Sequence, residues 1–127
     1  MTHFINVSNH NSTKWSPEQH KAATDIGTII DIPFPMVPAT ADTSEVRRIA
    51  HSIIDRVCEA CNGDAENTTV MVMGETSVVF HAIKSLISRG FTVVVACSDR
   101  VVEESVQADG STKKTAIFKF VQFREIA

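Results

Sequence analysis

Apolar residues along the chain follow two rhythms, short continuous runs and stripes at three-and-four spacing. The runs Phe4–Val7, Thr28–Ile32, Thr68–Met73 and Phe91–Cys97 are rich in β-branched side chains. Such runs predict strands, and the last two, apolar throughout, read as strands covered on both faces. Ser16-Pro17-Glu18-Gln19 combines an N-cap, a proline at the first helical position and a capping-box residue, which opens a helix from Pro17 to about Thr24. Val46, Ile49, Ala50, Ile53, Ile54, Val57, Cys58 and Cys61 fall on one helical face, opened by Asp42-Thr43-Ser44-Glu45 and closed by Asn62-Gly63. Val78, Val79, Ala82, Ile83, Leu86 and Ile87 form another such face, which stops at Gly90. Between strand and helix, Pro33 to Ala41 has three prolines and no period, and reads as a stiff irregular connection.

After Cys97 the alternation ends. Ala108-Asp109-Gly110-Ser111 is a turn signal, and it separates Val101–Gln107, a strand or a short helix, from an imperfectly alternating strand around Ile117–Phe123. A hairpin is the simpler form. The order β-α-β-α-β-α-β-β predicts an α/β fold, a Rossmann-like three-layer sandwich whose mainly parallel sheet ends in an antiparallel C-terminal strand.

At 127 residues the chain fits one ligand-binding domain. Twelve basic residues against fifteen acidic ones give a formal charge of −3, which argues against wrapping a long nucleic acid but leaves room for a small anionic ligand. No apolar stretch is long enough to span a membrane, and Met1-Thr2-His3-Phe4 has no secretory pattern, so a cytoplasmic location is expected. Cys58-Glu-Ala-Cys61 is formally a C-x-x-C pair, but both cysteines continue a helical apolar stripe and no second ligand pair accompanies them. No metal site and no cofactor are expected.

The polar residues follow the strands. In a parallel sheet ligands bind beyond the carboxyl ends of the strands, so Ser8-Asn9-His10, Gly74-Glu75-Thr76 and Ser98-Asp99-Arg100 are expected around one concavity. Ser8 and Asn9 offer hydroxyl and amide groups, and His10 is the only histidine at a strand end. Trp15 either stacks on a planar ligand or staples the first helix. Gly74 at a strand-to-helix turn lets a ligand approach the backbone. Glu75 either works as a base or ribose acceptor, or, with Thr76, simply caps the helix. Arg100, with Ser98 beside it, either clamps a phosphate or belongs to a solvated charge set with Asp99; Arg124 is a second cation. P-loop, dinucleotide and nucleophile-elbow motifs are absent.

The Ser-Asn-His loop, the Gly-Glu-Thr/Ser turn and the Ser-Asp-Arg segment, in this order of elements, resemble the small CARF-related proteins of CRISPR systems. Some of that group are ring nucleases that bind cyclic oligoadenylate across a homodimer and cleave it without metal. The resemblance implies that Ser8, Asn9 and His10 lie over the ribose-phosphate, that Gly74, Glu75 and Thr76 bind, and that Arg100 balances phosphate charge, with His10 and Glu75 as catalytic groups. Two other readings stay open: a nucleotide sensor without turnover, and an enzyme acting on a monomeric nucleotide through Glu75.

Overall fold

Every expected strand and helix forms. The computed structural model describes residues 1–127 and contains strands β1 (His3–Ser8), β2 (Thr28–Pro33), β3 (Thr68–Val72), β4 (Thr92–Val106) and β5 (Thr112–Ile126), with helices α1 (Pro17–Ile26), α2 (Thr43–Ala60) and α3 (Thr76–Ser88). The sheet order is β2-β1-β3-β4-β5. The first four strands are parallel and β5 is antiparallel to β4, a Rossmann-like α/β sandwich. Ser16 and Asp42 cap α1 and α2 through the Gln19 and Glu45 N–H groups.

Handedness distributes the helices. The chain steps one way from β1 to β2, then returns past β1 to β3 and on to β4. Right-handed crossovers therefore set α1 on one face and α2 and α3 on the other. The α2/α3 side holds the larger core, in which Ile5, Val7, Val70, Val72 and Val93 of the sheet meet Ile53, Val57, Ala82 and Leu86 of the helices. Cys61 is buried in it and Cys58 packs against it, so both serve as apolar side chains. On the α1 side Phe4, Ala23, Met71 and Val94 form a smaller core against Trp15 and Phe123.

The expected end of β4 at Cys97 is corrected. The strand continues to Val106 because β5 pairs with it from Val93↔Ile126 to Val106↔Thr112, interrupted only by an irregularity at Cys97/Ser98. Residues 101–107 take the hairpin form. At its tip the Gln107 N–H donates to the Ser111 carbonyl at 2.7 Å, and Gly110 adopts φ 84°, where glycine carries no steric penalty. Beyond Val94 the β3 side of β4 has no partner strand, so the hairpin leaves the sheet as a two-stranded arm. No helix of the structure is long and apolar enough to cross a membrane.

Leu86 is fully buried in the larger core. Replacing it with alanine is expected to lower the unfolding free energy by about 2–5 kcal/mol in a urea titration; a loss well under this range would contradict the assignment of α3 to the core.

Candidate functional site

The connections that leave β1 and β3 part to opposite faces of the sheet, since α1 and α3 lie on opposite sides. Between them opens a groove at the point where the strand order reverses, the place where open α/β sheets bind ligands. Ser8, Asn9, His10, Met73 and Gly74 line it, around about 250 Å³. Through Ser8 and Asn9 the groove continues into a hollow of about 260 Å³ over the end of β2, lined by Asn6, Asn11, Asp31 and Phe34 among others. Asn9 also borders a third, more open hollow with Phe34, Pro35, Met36, Val37 and Glu75.

A buried polar network builds the floor. Asn6 and Asp31 stand opposite each other on β1 and β2, and the Asn6 side-chain amide donates to Asp31 Oδ1 at 2.8 Å. The same amide donates to the His10 carbonyl at 2.9 Å. Ser8 Oγ donates to Asn6 Oδ1 at 2.7 Å and accepts from the His10 N–H. The other Asp31 oxygen accepts from Ser12 Oγ at 2.7 Å, while Oδ1 also takes the Ser12 N–H at 3.0 Å. Partial burial works to raise the Asp31 pKa, but the Ser12 side chain, the Asn6 amide, the Ser12 N–H and the His20 charge together outweigh it and hold the carboxyl below its usual value. The loop carrying Asn9, His10 and Asn11 is thus tied to β2 by one carboxylate.

Glu75 acts as the cap of α3. Its carboxylate accepts from the Ser77 and Val78 N–H groups at 3.1 and 2.9 Å and from Ser77 Oγ. These bonds, the Ser77 hydroxyl foremost, hold its pKa below the usual glutamate range, which leaves it a weak base. They also occupy the Ser77 and Val78 N–H groups at the start of α3, the kind of donors that hold an anion at an open helix N-terminus. Gly74 is required by packing. A Cβ there would meet the Phe34 ring at 2.6 Å, so the missing side chain accommodates Phe34, which is buried.

The structure gathers Ser8, Asn9, His10, Gly74 and Glu75 along one continuous groove. Thr76 begins α3 and is exposed, outside the lining of the three hollows. Trp15 turns to the α1 side of the sheet, edge-on to Phe4 at 6.1 Å and 6.3 Å from Phe123, so it packs, half-buried, against the smaller core and lines none of the three hollows. Ser98 and Arg100 are exposed on the arm, opposite Phe120 and Phe118, and line none of the three hollows. Arg124 lies on β5 opposite Val95. Sequence reasoning missed Asn6, Asp31 and Phe34. The first two had a signal: each is a lone polar residue within an apolar strand run, Ile5-Asn6-Val7 and Ile30-Asp31-Ile32.

Residues 2–124 match the model of the uncharacterized protein MJ1673 family, and the chain belongs to that family. No curated protein and no solved structure matches it.

Asp31→Ala removes one of the two acceptors of the Asn6 amide and the side-chain acceptor of both Ser12 donors, and is expected to cost about 1–3 kcal/mol of stability. Because the folded carboxyl titrates below the unfolded one, its contribution is complete above the ordinary aspartate value of about 3.9 and is lost as pH falls through the lower folded value. Unfolding curves of wild type and Asp31→Asn should therefore converge on acidification below that value. A gap that stays constant through the acid range would contradict this coupling.

Proposed function

We propose that the chain is a nucleotide-binding module whose groove holds the nucleoside part of its ligand and leaves the phosphate at the rim. The observation that carries the reading is the meeting of two kinds of lining at Asn9 and Phe34: an apolar one of Phe34, Pro35, Met36 and Val37 in one hollow, and a polar one with Ser8, Asn9 and Asn11 in the hollow beside it. A planar base packs against the first, while hydroxyl and amide groups of the second meet its edge and the ribose hydroxyls. No lysine or arginine lines the three hollows, and the carboxylates of Asp31 and Glu75 border them. Phosphate is accordingly directed outward past His10, and Arg100 on the arm, which lines none of the three hollows, is the cation that the resemblance assigns to it. A small ligand anionic only at its outer end fits this distribution.

Cyclic oligoadenylate, the ligand implied by the resemblance to CARF-related proteins, presents nucleosides on a phosphate ring of this kind, and its symmetry suits a site shared by a homodimer. A second reading, metal-independent cleavage of that ring, is favoured by the position of His10 in the groove beside Ser8. Attack by a 2′-hydroxyl on the adjacent phosphorus needs in-line geometry and a group to move the proton. With Glu75 committed to capping, His10 takes that role. The three unpaired cysteines accord with a reducing cytoplasm.

Titration calorimetry with adenosine, adenosine monophosphate and cyclic tetra-adenylate, chelator present, tests both readings. Asn9→Ala is expected to weaken all three by roughly tenfold, the worth of about one hydrogen bond, whereas Arg100→Ala weakens only the phosphate-bearing ligands. If the ring is cut, His10→Ala should slow product formation by about 10²–10⁴-fold with binding retained. Absence of binding by all three ligands, or affinities untouched by Asn9→Ala, would remove the nucleotide reading; an intact ring after prolonged incubation would remove the cleavage reading alone.

A further inference from the structure

Helices α2 and α3 lie side by side over the larger core and run in the same direction, since each is a crossover between parallel strands. Residues four apart on a helix stand one above the other. Arg47 and His51 make such a pair on α2, and His81 and Ser85 make another on α3. The two pairs line one hollow of about 110 Å³ between the helices, floored by the buried Ala50 and Ile54. It shares no residue with the three hollows of the groove. The polar side chains around it are donors that the protein leaves largely unused. Arg47 and His81 enter no ion pair, and the one partner of His51 is Asp55, whose Oδ2 lies 3.5 Å from Nδ1, so that Nε2 stays open. Ser52 on α2 turns its hydroxyl back onto the Ile49 carbonyl at 2.6 Å; the half-buried Ser85 makes no such bond. The neighbouring cations are engaged elsewhere, Arg48 with Glu45 and Lys84 over the Phe80 ring, 5.4 Å from its centroid. No carboxylate lines the hollow. In a chain with a formal charge of −3, this is a local reversal of sign.

We propose that the hollow between α2 and α3 is a binding site for a phosphate-type oxyanion, the free ion or the terminal phosphate of a small ester. The Arg47 guanidinium offers a fork that matches two oxygens of such an ion. Each imidazole donates an N–H in either protonation state, and the Ser85 hydroxyl donates one more bond. Ala50 and Ile54 give the oxygens nothing to bond to, so these face the rim, where every donor stands. Size selects the ligand as well. The hollow has less than half the volume of any of the three in the groove, which suits a single tetrahedral anion and leaves a nucleoside outside. An anion held there touches both helices at once, and so stabilises the pair by linkage.

Backbone amide shifts of the full chain, followed during separate titrations with inorganic phosphate and with glycerol phosphate, test the site. Saturating changes are expected at Arg47, His51, His81 and Ser85, with Asn9 and Gly74 of the groove unmoved by inorganic phosphate. Arg47→Gln should weaken phosphate binding by roughly tenfold or more, the worth of a charge-assisted contact, and His51→Gln with His81→Gln should weaken it as well. Lys84→Gln removes a neighbouring charge that faces Phe80 and should leave the affinity unchanged. Arg47 and Lys84 are both exposed, so these two changes keep the helical circular dichroism of the wild type. Equal binding of glycerol phosphate would identify the terminal group of an ester as the source, and binding of inorganic phosphate alone the free ion. Shifts that fail to saturate, shifts as large at Lys21 and Arg89 as at the hollow, an affinity untouched by Arg47→Gln, or one lowered as much by Lys84→Gln would each mean an adventitious ion only and overturn the proposal.

Discussion

The carboxyl edge of the sheet depends on one carboxylate. Asp31 reaches from β2 to the Asn6 side chain on β1 and to both the N–H and the hydroxyl of Ser12 beyond the loop. A polar residue in the middle of a strand is costly to bury unless its groups are paired, and here each pays its way by holding the next. Asn6 passes the constraint to the His10 carbonyl and to Ser8. Asn9, His10 and Asn11 are therefore displayed from a loop with fixed ends, which is the preorganisation that a binding loop needs.

The same economy shapes the electrostatics of the groove. The two helical turns that begin nearest to it are both closed by side chains of the protein itself, the 3₁₀ turn Ser12–Lys14 by Asp31 and Asn11, and α3 by Glu75. Helix N-termini are common phosphate sites because their N–H groups are free. Here the protein's own acceptors take the N–H groups of Ser12, Thr13, Ser77 and Val78, and two of the acceptors are charged. That turns the groove toward neutral hydrogen-bonding groups and shifts any anion to its mouth. Phe34 adds the apolar wall, and it sits where it does because Gly74 presents no side chain to its ring.

Much of this architecture was legible in the sequence. The α2 stripe and the apolar runs of β1 to β4 identify themselves because burial imposes a period on them, and the Ser16 and Asp42 caps mark the helix starts. The far half of β4 carries no such mark: neither face of the arm is covered by the chain, so residues 98–106 show no burial pattern and the strand reads as ending at Cys97. Trp15 was ambiguous because Phe123, one of its partners, arrives from the far end of the chain. Glu75 fitted both a base and a cap by spacing, and only the positions of the Ser77 and Val78 N–H groups decide for the cap. Asn6 and Asp31 announce themselves as polar interruptions, yet that they face each other follows from strand order and register, which local pattern does not specify.

Backbone amide shifts followed by nuclear magnetic resonance during titration with adenosine monophosphate test the central claim most directly, since they locate a ligand without presuming its chemistry. A site organised at the reversal of strand order predicts that the largest changes fall on Asn9, His10, Asn11, Phe34 and Gly74, and that they shrink in Asp31→Ala, whose loop has lost its tether. Changes confined to the arm or to the outer faces of α2 and α3, with the residues around Asn9 unmoved, would contradict it.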